Sequence, residues 1–374
     1  MKLLHLADLH IGKIVNRFSM LEDQKYILEQ VLRIVDEEQP EAVVIAGDIY
    51  DRTSPPADAV AVFDDFLVEL TRRGQKVFMI YGNHDSAERI AYASRILKNS
   101  NVFVSKVYDG NVEPVVLKDE FGEVNFYLLP FVKPAHVRHS FEDEKINDHS
   151  DAVRVAVEHM DIDRKKRNVL VAHQFITNAE LSGSEERSIG GTENVDVSAV
   201  EDFDYVALGH IHKAQGAGKK HVRYSGSLLK YSFDEAEQTK SVTIVELKEK
   251  GTVDYRNIDL TPLREMRVIE GSYETVMQQG HADSRKEDYV KVILTDENDI
   301  PDAIRRLRTV YPNIMQLQYN NTRTNSISQI QRNERVEVMK PIEIISDLFK
   351  EQNGREMEPE QVECSERIIK DIWG

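Results

Sequence analysis

Five short segments carry residue types that bind divalent metals and move protons. They are Asp8-Leu9-His10, Gly47-Asp48-Ile49-Tyr50-Asp51-Arg52, Gly82-Asn83-His84-Asp85, Ala172-His173-Gln174 and Gly209-His210-Ile211-His212. Carboxylates, imidazoles and an amide form a mixed oxygen and nitrogen donor set, which suits Mn²⁺, Fe²⁺ or Zn²⁺ better than Mg²⁺, which prefers oxygen. A carboxylate has two oxygens, so Asp48, beside Gly47 where the backbone can approach closely, reads as the ligand shared by two cations roughly 3.5–4 Å apart. Asp8 and His10 stand two apart and on an extended chain would face one ion. The same spacing joins His210 and His212, and it leaves open whether they serve one ion or two. Asn83 offers a neutral oxygen and His173 a further imidazole. His84 adjoins Asn83, and neighbours on an extended chain diverge, so His84 reads as a proton donor at the rim, oriented by Asp51. The implied reaction is in-line attack on phosphorus by hydroxide generated at a dinuclear centre. Arg52 is a candidate for gripping phosphate or for a salt bridge within its loop. Asp85-Ser86-Ala87-Glu88 has the spacing of a helix capping box, which gives Asp85 a structural task.

Such a set works only if the fold brings all five segments to one edge. Lys2–Ala7, Ala42–Ala46 and Lys76–Ile80 read as buried strands, with helical patterns at Met20–Glu38 and, after Ser54 and Pro55, to about Arg73. Past Ser100 the expected strands are Val102–Val104, Glu113–Leu117, Val124–Leu129, Asn168–Ala172 behind a helix at His149–Asp161, and Tyr205–Leu208. Val222–Tyr224, Lys240–Leu247 and Val253–Ile258 read as completing a second sheet. The expected fold class is α/β. Two packed sheets with helices outside give residues 1–260 a four-layer α/β/β/α sandwich, whose parallel strand ends would form the rim.

Past Thr261-Pro262 the order is strand, helix, strand, helix, strand, over Met266–Ile269, Tyr273–Gln279, Tyr289–Leu294, Pro301–Val310 and Ile314–Tyr319. This reads as a small α/β domain at 261–320. A polar linker over 321–340 leads to two amphipathic helices within 341–374. Ile342, Ile345 and Phe349 share a face of the first, and Val362, Ile368, Ile369 and Ile372 are apolar candidates on the second.

The 374 residues contain one cysteine, Cys364, and carry a formal net charge of −17. A lone cysteine excludes a disulfide framework and fits a reducing, cytoplasmic compartment. The first residues lack the continuous apolar region of a signal peptide, and no long uncharged apolar run follows, so no membrane partner is expected. Strong negative charge argues against general attraction to nucleic acid but allows a local basic patch. Lys219, Lys220 and Arg223, close behind the last metal segment, form the candidate patch for DNA.

The ordered set D-x-H, G-D-x-x-D-R, G-N-H-D, a lone His after a strand, and G-H-x-H resembles the calcineurin-like metallophosphoesterases. Outside the site, Leu129-Pro130-Phe131-Val132-Lys133-Pro134, the loop His173–Val195 with Gly190-Gly191-Thr192-Glu193, and Tyr224-Ser225-Gly226-Ser227 followed by Ser232-Phe233-Asp234-Glu235 look like the nuclease subunits of the bacterial SbcC–SbcD family, relatives of the double-strand-break repair nucleases. The resemblance implies one ion on Asp8, His10, Asp48 and His212 and the other on Asp48, Asn83, His173 and His210, usually Mn²⁺, with His84 catalytic and Asp51 behind it. It further implies an ATP-dependent 3′ to 5′ double-strand exonuclease and a single-strand and hairpin endonuclease, in recombination, replication and break repair. A homodimer within a heterotetramer, a capping domain that helps hold DNA, and C-terminal helices on the SMC-like ATPase SbcC complete the expectation. The five motifs alone leave a second reading open, a metallophosphatase of small phosphoesters or phosphoproteins.

Overall fold

The computed structural model describes residues 1–177, 179–181, 184, 193–321 and scattered positions between 342 and 367. Two six-stranded mixed sheets pack face to face. In the first, Lys2–Leu6, Ala42–Ala46, Lys76–Ile80 and Val102–Val104 run parallel, in register from Leu3 opposite Ala42 onward. In the second, Gly122–Leu129, Arg167–His173, Tyr205–Gly209 and Lys219–Tyr224 run parallel between antiparallel edge strands.

Alternation within each strand sorts its side chains between two cores. Leu3, Val44, Phe78, Phe126, Val171, Tyr205 and Val245 fill the space between the sheets, with Phe78 stacked on Phe126 at 4.2 Å. Leu4, Leu6, Val43 and Met79 face the helices Leu21–Glu38 and Ala57–Arg72, which bury Ile27, Val31, Phe63 and Phe66 against them. Tyr127, Leu170, Val206 and Tyr224 pack under the helices Pro134–Ser140 and His149–Glu158. The result is the expected α/β/β/α layering.

One strand assignment is corrected. Ser241–Leu247 and Val253–Asp259 form a hairpin that joins the first sheet, because Ser241–Leu247 pairs antiparallel with Lys2–Leu6. The Leu247 N–H donates to the Met1 carbonyl, and the Met1 ammonium lies 2.8 Å from Asp119. An apolar run does not say which sheet edge it will cover.

Residues 266–319 form a three-stranded parallel sheet over Met266–Gly271, Tyr289–Leu294 and Ile314–Tyr319, with helices at Tyr273–Ala282 and Ala303–Leu307. It has its own core of Val276, Val290, Val292, Leu307 and Ile314. Arg264, leading into the unit, binds the buried Asp23 on helix Leu21–Glu38 at 2.8 Å, and Tyr289 donates to the same carboxylate at 2.7 Å. The linker read over 321–340 lies, past Asn321, outside the described residues, as does most of the helical segment 341–374; Ile342, Phe349 and Val362 are helical. Among the described residues no helix is long and apolar enough to cross a membrane.

Candidate metal centre

The carboxyl ends of Lys2–Leu6, Ala42–Ala46 and Lys76–Ile80 meet those of Arg167–His173 and Tyr205–Gly209 at one rim. There Asp8, His10, Asp48, His173, His210 and His212 are each at most 8% exposed. The loops are zipped by backbone hydrogen bonds: Asp8 N–H donates to Gly47 O at 3.1 Å and His10 N–H to Asp48 O at 3.0 Å. Extended alternation is not what aims Asp8 and His10. Both sit at positive φ (53° and 44°), as do Asp48 (49°) and His210 (98°). Such conformations are costly for residues with side chains and gather at functional sites. Gly47, at φ 87°, leaves room that a Cβ would take from His173, and a Cβ on Gly209 would lie 2.7 Å from His173 Nδ1.

Asp48 is the centre of the cluster. Its Oδ2 lies 3.2 Å from His173 Nε2, 3.7 Å from His10 Nε2 and 4.0 Å from His84 Nε2, while its Oδ1 accepts the His84 N–H at 3.0 Å. Asn83 Oδ1 lies 3.0 Å from both His173 Nε2 and His210 Nδ1. His173 Nδ1–H donates to the Ala46 carbonyl at 2.8 Å, which fixes the tautomer and turns Nε2 into the site. His10 Nε2 and His212 Nε2 face each other at 3.0 Å. Asp8, His10 and His212 form one compact group, Asp8, Asp48 and His173 a second, and His10, Asp48 and the less buried His84 a third, the donor atoms of each within 4.8 Å of one another.

The charge balance of this shell fits cations. Burial alone opposes ionisation of Asp48, yet His173 and the other imidazoles hold its carboxyl well below the usual range. Burial likewise disfavours a charged His173, but Asp48 outweighs it and raises the imidazole to about 9. Burial drops His210 to about 3 and keeps His10 neutral, with His10 Nε2 aimed at His212. Asp8 is raised to about 6, first by burial, and its Oδ2 is buried without a hydrogen-bond partner. Converging lone pairs and an orphaned carboxylate oxygen are the donor set of a divalent metal site.

His84 differs from the rest. Its side chain is 19% exposed at the lip of the site. Asp51 does orient it, but through the main chain: His84 Nδ1–H donates to the Asp51 carbonyl at 3.0 Å. The Asp51 carboxylate instead binds Lys13 Nζ at 2.7 Å. Arg52 stands beside it with a side chain 54% exposed, its guanidinium 3.8 Å from Asp51 Oδ2. Asp85 is not the helix cap. Ser86 takes that place by accepting the Arg89 N–H, while Asp85 accepts from Ile49, Tyr50 and Gly82 at 2.9–3.0 Å and so staples two metal loops together.

The candidate DNA patch falls elsewhere. Val222 pairs parallel with Val206 and Tyr224 with Leu208, so Lys219 and Lys220 lie at the opposite end of the sheet from His210. Both are ion-paired, with Glu201 at 2.9 Å and Asp254 at 3.6 Å. Arg223 is buried between the sheets, its guanidinium 4.3 Å over the Tyr255 ring and donating to Asn257 at 2.9 Å. Closeness in sequence misled because the strand Lys219–Tyr224 puts both lysines at the end far from the rim and turns Arg223 inward.

Several supporting residues were missed. Gln24 donates to the His10 and Leu9 carbonyls at 2.7 and 3.3 Å and accepts the Gly12 N–H at 2.9 Å. Tyr231 donates to the Leu9 carbonyl at 2.6 Å. Glu235, wholly buried, lies 3.9 Å from His212 Nδ1 and 2.6 Å from Lys240, whose ammonium also donates to the His212 carbonyl. Gln24 does leave a signal: it interrupts the apolar stripe of Ile27, Leu28 and Val31.

Residues 1–214 match the calcineurin-like phosphoesterase family, and residues 262–353 match the domain described as type 5 capsule protein repressor C-terminal domain. The SbcD subunit of the nuclease SbcCD from Staphylococcus epidermidis is 36% identical over 85% of this chain and 85% of its own. That of Staphylococcus saprophyticus subsp. saprophyticus is 34% identical over 99% of this chain and 98% of its own. Among solved structures, a dimetal phosphatase from Danio rerio aligns over 70% of this chain and 98% of its own, with 11% identity and a TM-score of 0.43. With its first 214 residues matched to the phosphoesterases and nearly its whole length matched to these nuclease subunits, the chain belongs to the SbcD family of calcineurin-like phosphoesterases.

Proposed function

We propose that the protein is a metal-dependent nuclease that hydrolyses phosphodiester bonds of DNA as the partner of the SMC-like ATPase SbcC. In this reading it is a cytoplasmic, ATP-dependent 3′ to 5′ exonuclease on duplex ends and an endonuclease on hairpins and single strands, in recombination, replication and break repair. One observation carries it: two buried carboxylates, Asp8 and Asp48, stand among converging imidazoles, with a partly exposed imidazole, His84, on the lip above. Asp8, His10, Asp48 and His212 would hold one ion, and Asp48, Asn83, His173 and His210 the other. Two divalent ions, Mn²⁺ by the resemblance to the family, would supply positive charge to phosphoryl oxygens and lower the pKa of bound water.

The remaining steps belong to the chain. His84 donates Nδ1–H to the Asp51 carbonyl, so as an imidazolium it presents Nε2–H over the site. From there it hydrogen-bonds a phosphoryl oxygen or protonates the departing sugar oxygen. Arg52 is placed to receive a phosphate at the lip. A homodimer, a DNA-holding role for the unit at 261–320 and attachment of SbcC to the helices of 341–374 complete the reading. Blunt duplex and hairpin DNA, incubated with Mn²⁺, with and without SbcC and ATP, test it against a panel of phosphomonoesters. Cleavage of DNA is expected; turnover confined to monoesters would replace the nuclease with a phosphatase.

A further inference from the structure

Two segments that stand out in the sequence lie outside the donor set: the loop that follows His173, as far as Val195, and Tyr224-Ser225-Gly226-Ser227 with Ser232-Phe233-Asp234-Glu235. Each reaches His212. Ser227 N–H and the Lys240 ammonium donate to the His212 carbonyl at 3.1 and 2.8 Å, and a Cβ on Gly226 would lie 2.8 Å from that oxygen. Ser232 caps the short turn Phe233–Glu235 by accepting the Asp234 N–H, and Glu235 at its end is wholly buried. From the loop, Ser184 sets its hydroxyl between the two side chains, 2.5 Å from His212 Nδ1 and donating to Glu235 Oε1.

What matters in this chain of bonds is its direction. An ammonium only donates and a carboxylate only accepts, whereas a hydroxyl and an imidazole nitrogen can do either. Lys240 Nζ lies 2.6 Å from Glu235 Oε2, with the two side chains 6% and 0% exposed. A buried ion pair of this kind is a poor source of stability, because desolvation offsets its attraction, so its place beside a metal-site imidazole calls for another task. The Glu235 carboxylate draws the Ser184 hydroxyl proton to itself, which leaves a Ser184 lone pair facing His212 Nδ1. Nδ1 must then carry the proton, and Nε2, 3.0 Å from His10 Nε2, keeps its lone pair inside the site. His173 reaches the same tautomer in one step, through the Ala46 carbonyl. For His212 the acceptor of fixed direction, Glu235, stands 3.9 Å from Nδ1, beyond direct reach, and Ser184 bridges the gap.

We propose that Lys240, Glu235 and Ser184 form a relay of fixed hydrogen-bond direction that holds His212 with Nε2 unprotonated, and so sets the affinity of the one ion that His212 would ligate. All three are positioning residues, acting through His212. The inference rests on His212 as a ligand of the proposed centre, and the test separates the two. Long-range ¹H–¹⁵N NMR of the full chain, labelled at histidine and stripped of metal, reads the tautomer, with the His212 signals assigned by their loss in His212→Asn. Wild type is expected to show Nδ1–H. Glu235→Gln keeps the shape but offers Ser184 an amide N–H, which turns the hydroxyl toward Nδ1, and Nε2–H is expected. Ser184→Ala removes the bridge and is expected to give both tautomers, and Ser184→Thr to restore Nδ1–H. Calorimetric titration with Mn²⁺ is expected to show one of two ions weakened about 10–100-fold in Glu235→Gln and Ser184→Ala, the other far less, and wild-type binding in Ser184→Thr. Packing alone would leave the tautomer where it was. An Nδ1–H tautomer retained in both Glu235→Gln and Ser184→Ala, or equal weakening of both ions, would overturn the relay. Wild type that binds no Mn²⁺ would defeat the ligand reading, while the tautomer comparison, made without metal, still decides the relay.

Discussion

The two ends of the second sheet hold charge in opposite ways. At the end of Tyr205–Gly209, His210 and His212 are buried with Asp8, Asp48 and His173, aimed by backbone at positive φ and by hydrogen bonds to main-chain carbonyls. At the other end Lys219 and Lys220 are half or more exposed and paired with surface carboxylates. Titratable groups cluster at both, yet only the first makes the fold give up relaxed backbone and solvation to hold them. Surface pairs of the second kind contribute about 0–1 kcal/mol each. Buried donors held in strained loops persist because the surrounding structure over-determines them.

The sharpest break of that contrast is Asp48→Ala, which removes the carboxylate that the proposed function gives to both ions. Phosphodiester hydrolysis should fall by at least about 10³-fold, and bound Mn²⁺ should drop from two ions per chain to one or fewer. Retention of two ions, measured by calorimetry or elemental analysis, would take Asp48 out of the shared position. The variant also frees His173 from the charge that raises it to about 9, so that imidazole should titrate lower in metal-free protein by NMR.

His84→Gln comes next and separates the lip from the buried shell. Loss of a general acid costs about 10²–10⁴-fold in rate. Metal content should stay unchanged, since His84 is the exposed member of the set and its ring is held by the Asp51 carbonyl. A fall in Mn²⁺ binding would instead make His84 a ligand.

Gln24→Ala tests whether the rim needs its support. The variant leaves two carbonyls and an amide of the Leu9–Gly12 loop without their partner, at a cost of about 1–3 kcal/mol, and lets His10 drift. We expect metal affinity to weaken about 10–100-fold, read by titration with Mn²⁺. Equal loss of stability with undiminished affinity would reduce Gln24 to a packing role.

These three positions also show what the sequence made legible. The strands were readable because buried parallel strands are continuous apolar runs, and the donors because few residue types bind divalent metals and each followed such a run, all but His173 with glycine close by. Asp8 and His10 were paired by an argument from extended chain, whereas the actual backbone is left-handed; the residues were found although the geometry was not. Asp85 and Gln24 act through main-chain groups of loops distant in sequence, which leaves almost no local pattern. The hairpin Ser241–Asp259 could be seen as two strands but not placed, since an apolar run does not carry the identity of the strand it pairs with, here Lys2–Leu6.

The smallest expected effect lies at the other end of the sheet. Lys219→Gln/Lys220→Gln removes two positive charges that sit a strand length from the rim and already neutralise Glu201 and Asp254. DNA affinity and its salt slope should both be unchanged, because a side chain that releases no counterion on binding contributes nothing to the slope. Arg223→Gln should leave DNA binding equally intact while lowering stability by about 1–3 kcal/mol, through the lost stacking on Tyr255 and the lost bond to Asn257. Urea denaturation reads the second effect and filter binding across salt the first. A lowered salt slope in the lysine pair would return DNA to this end of the sheet and erase the contrast between the two rims.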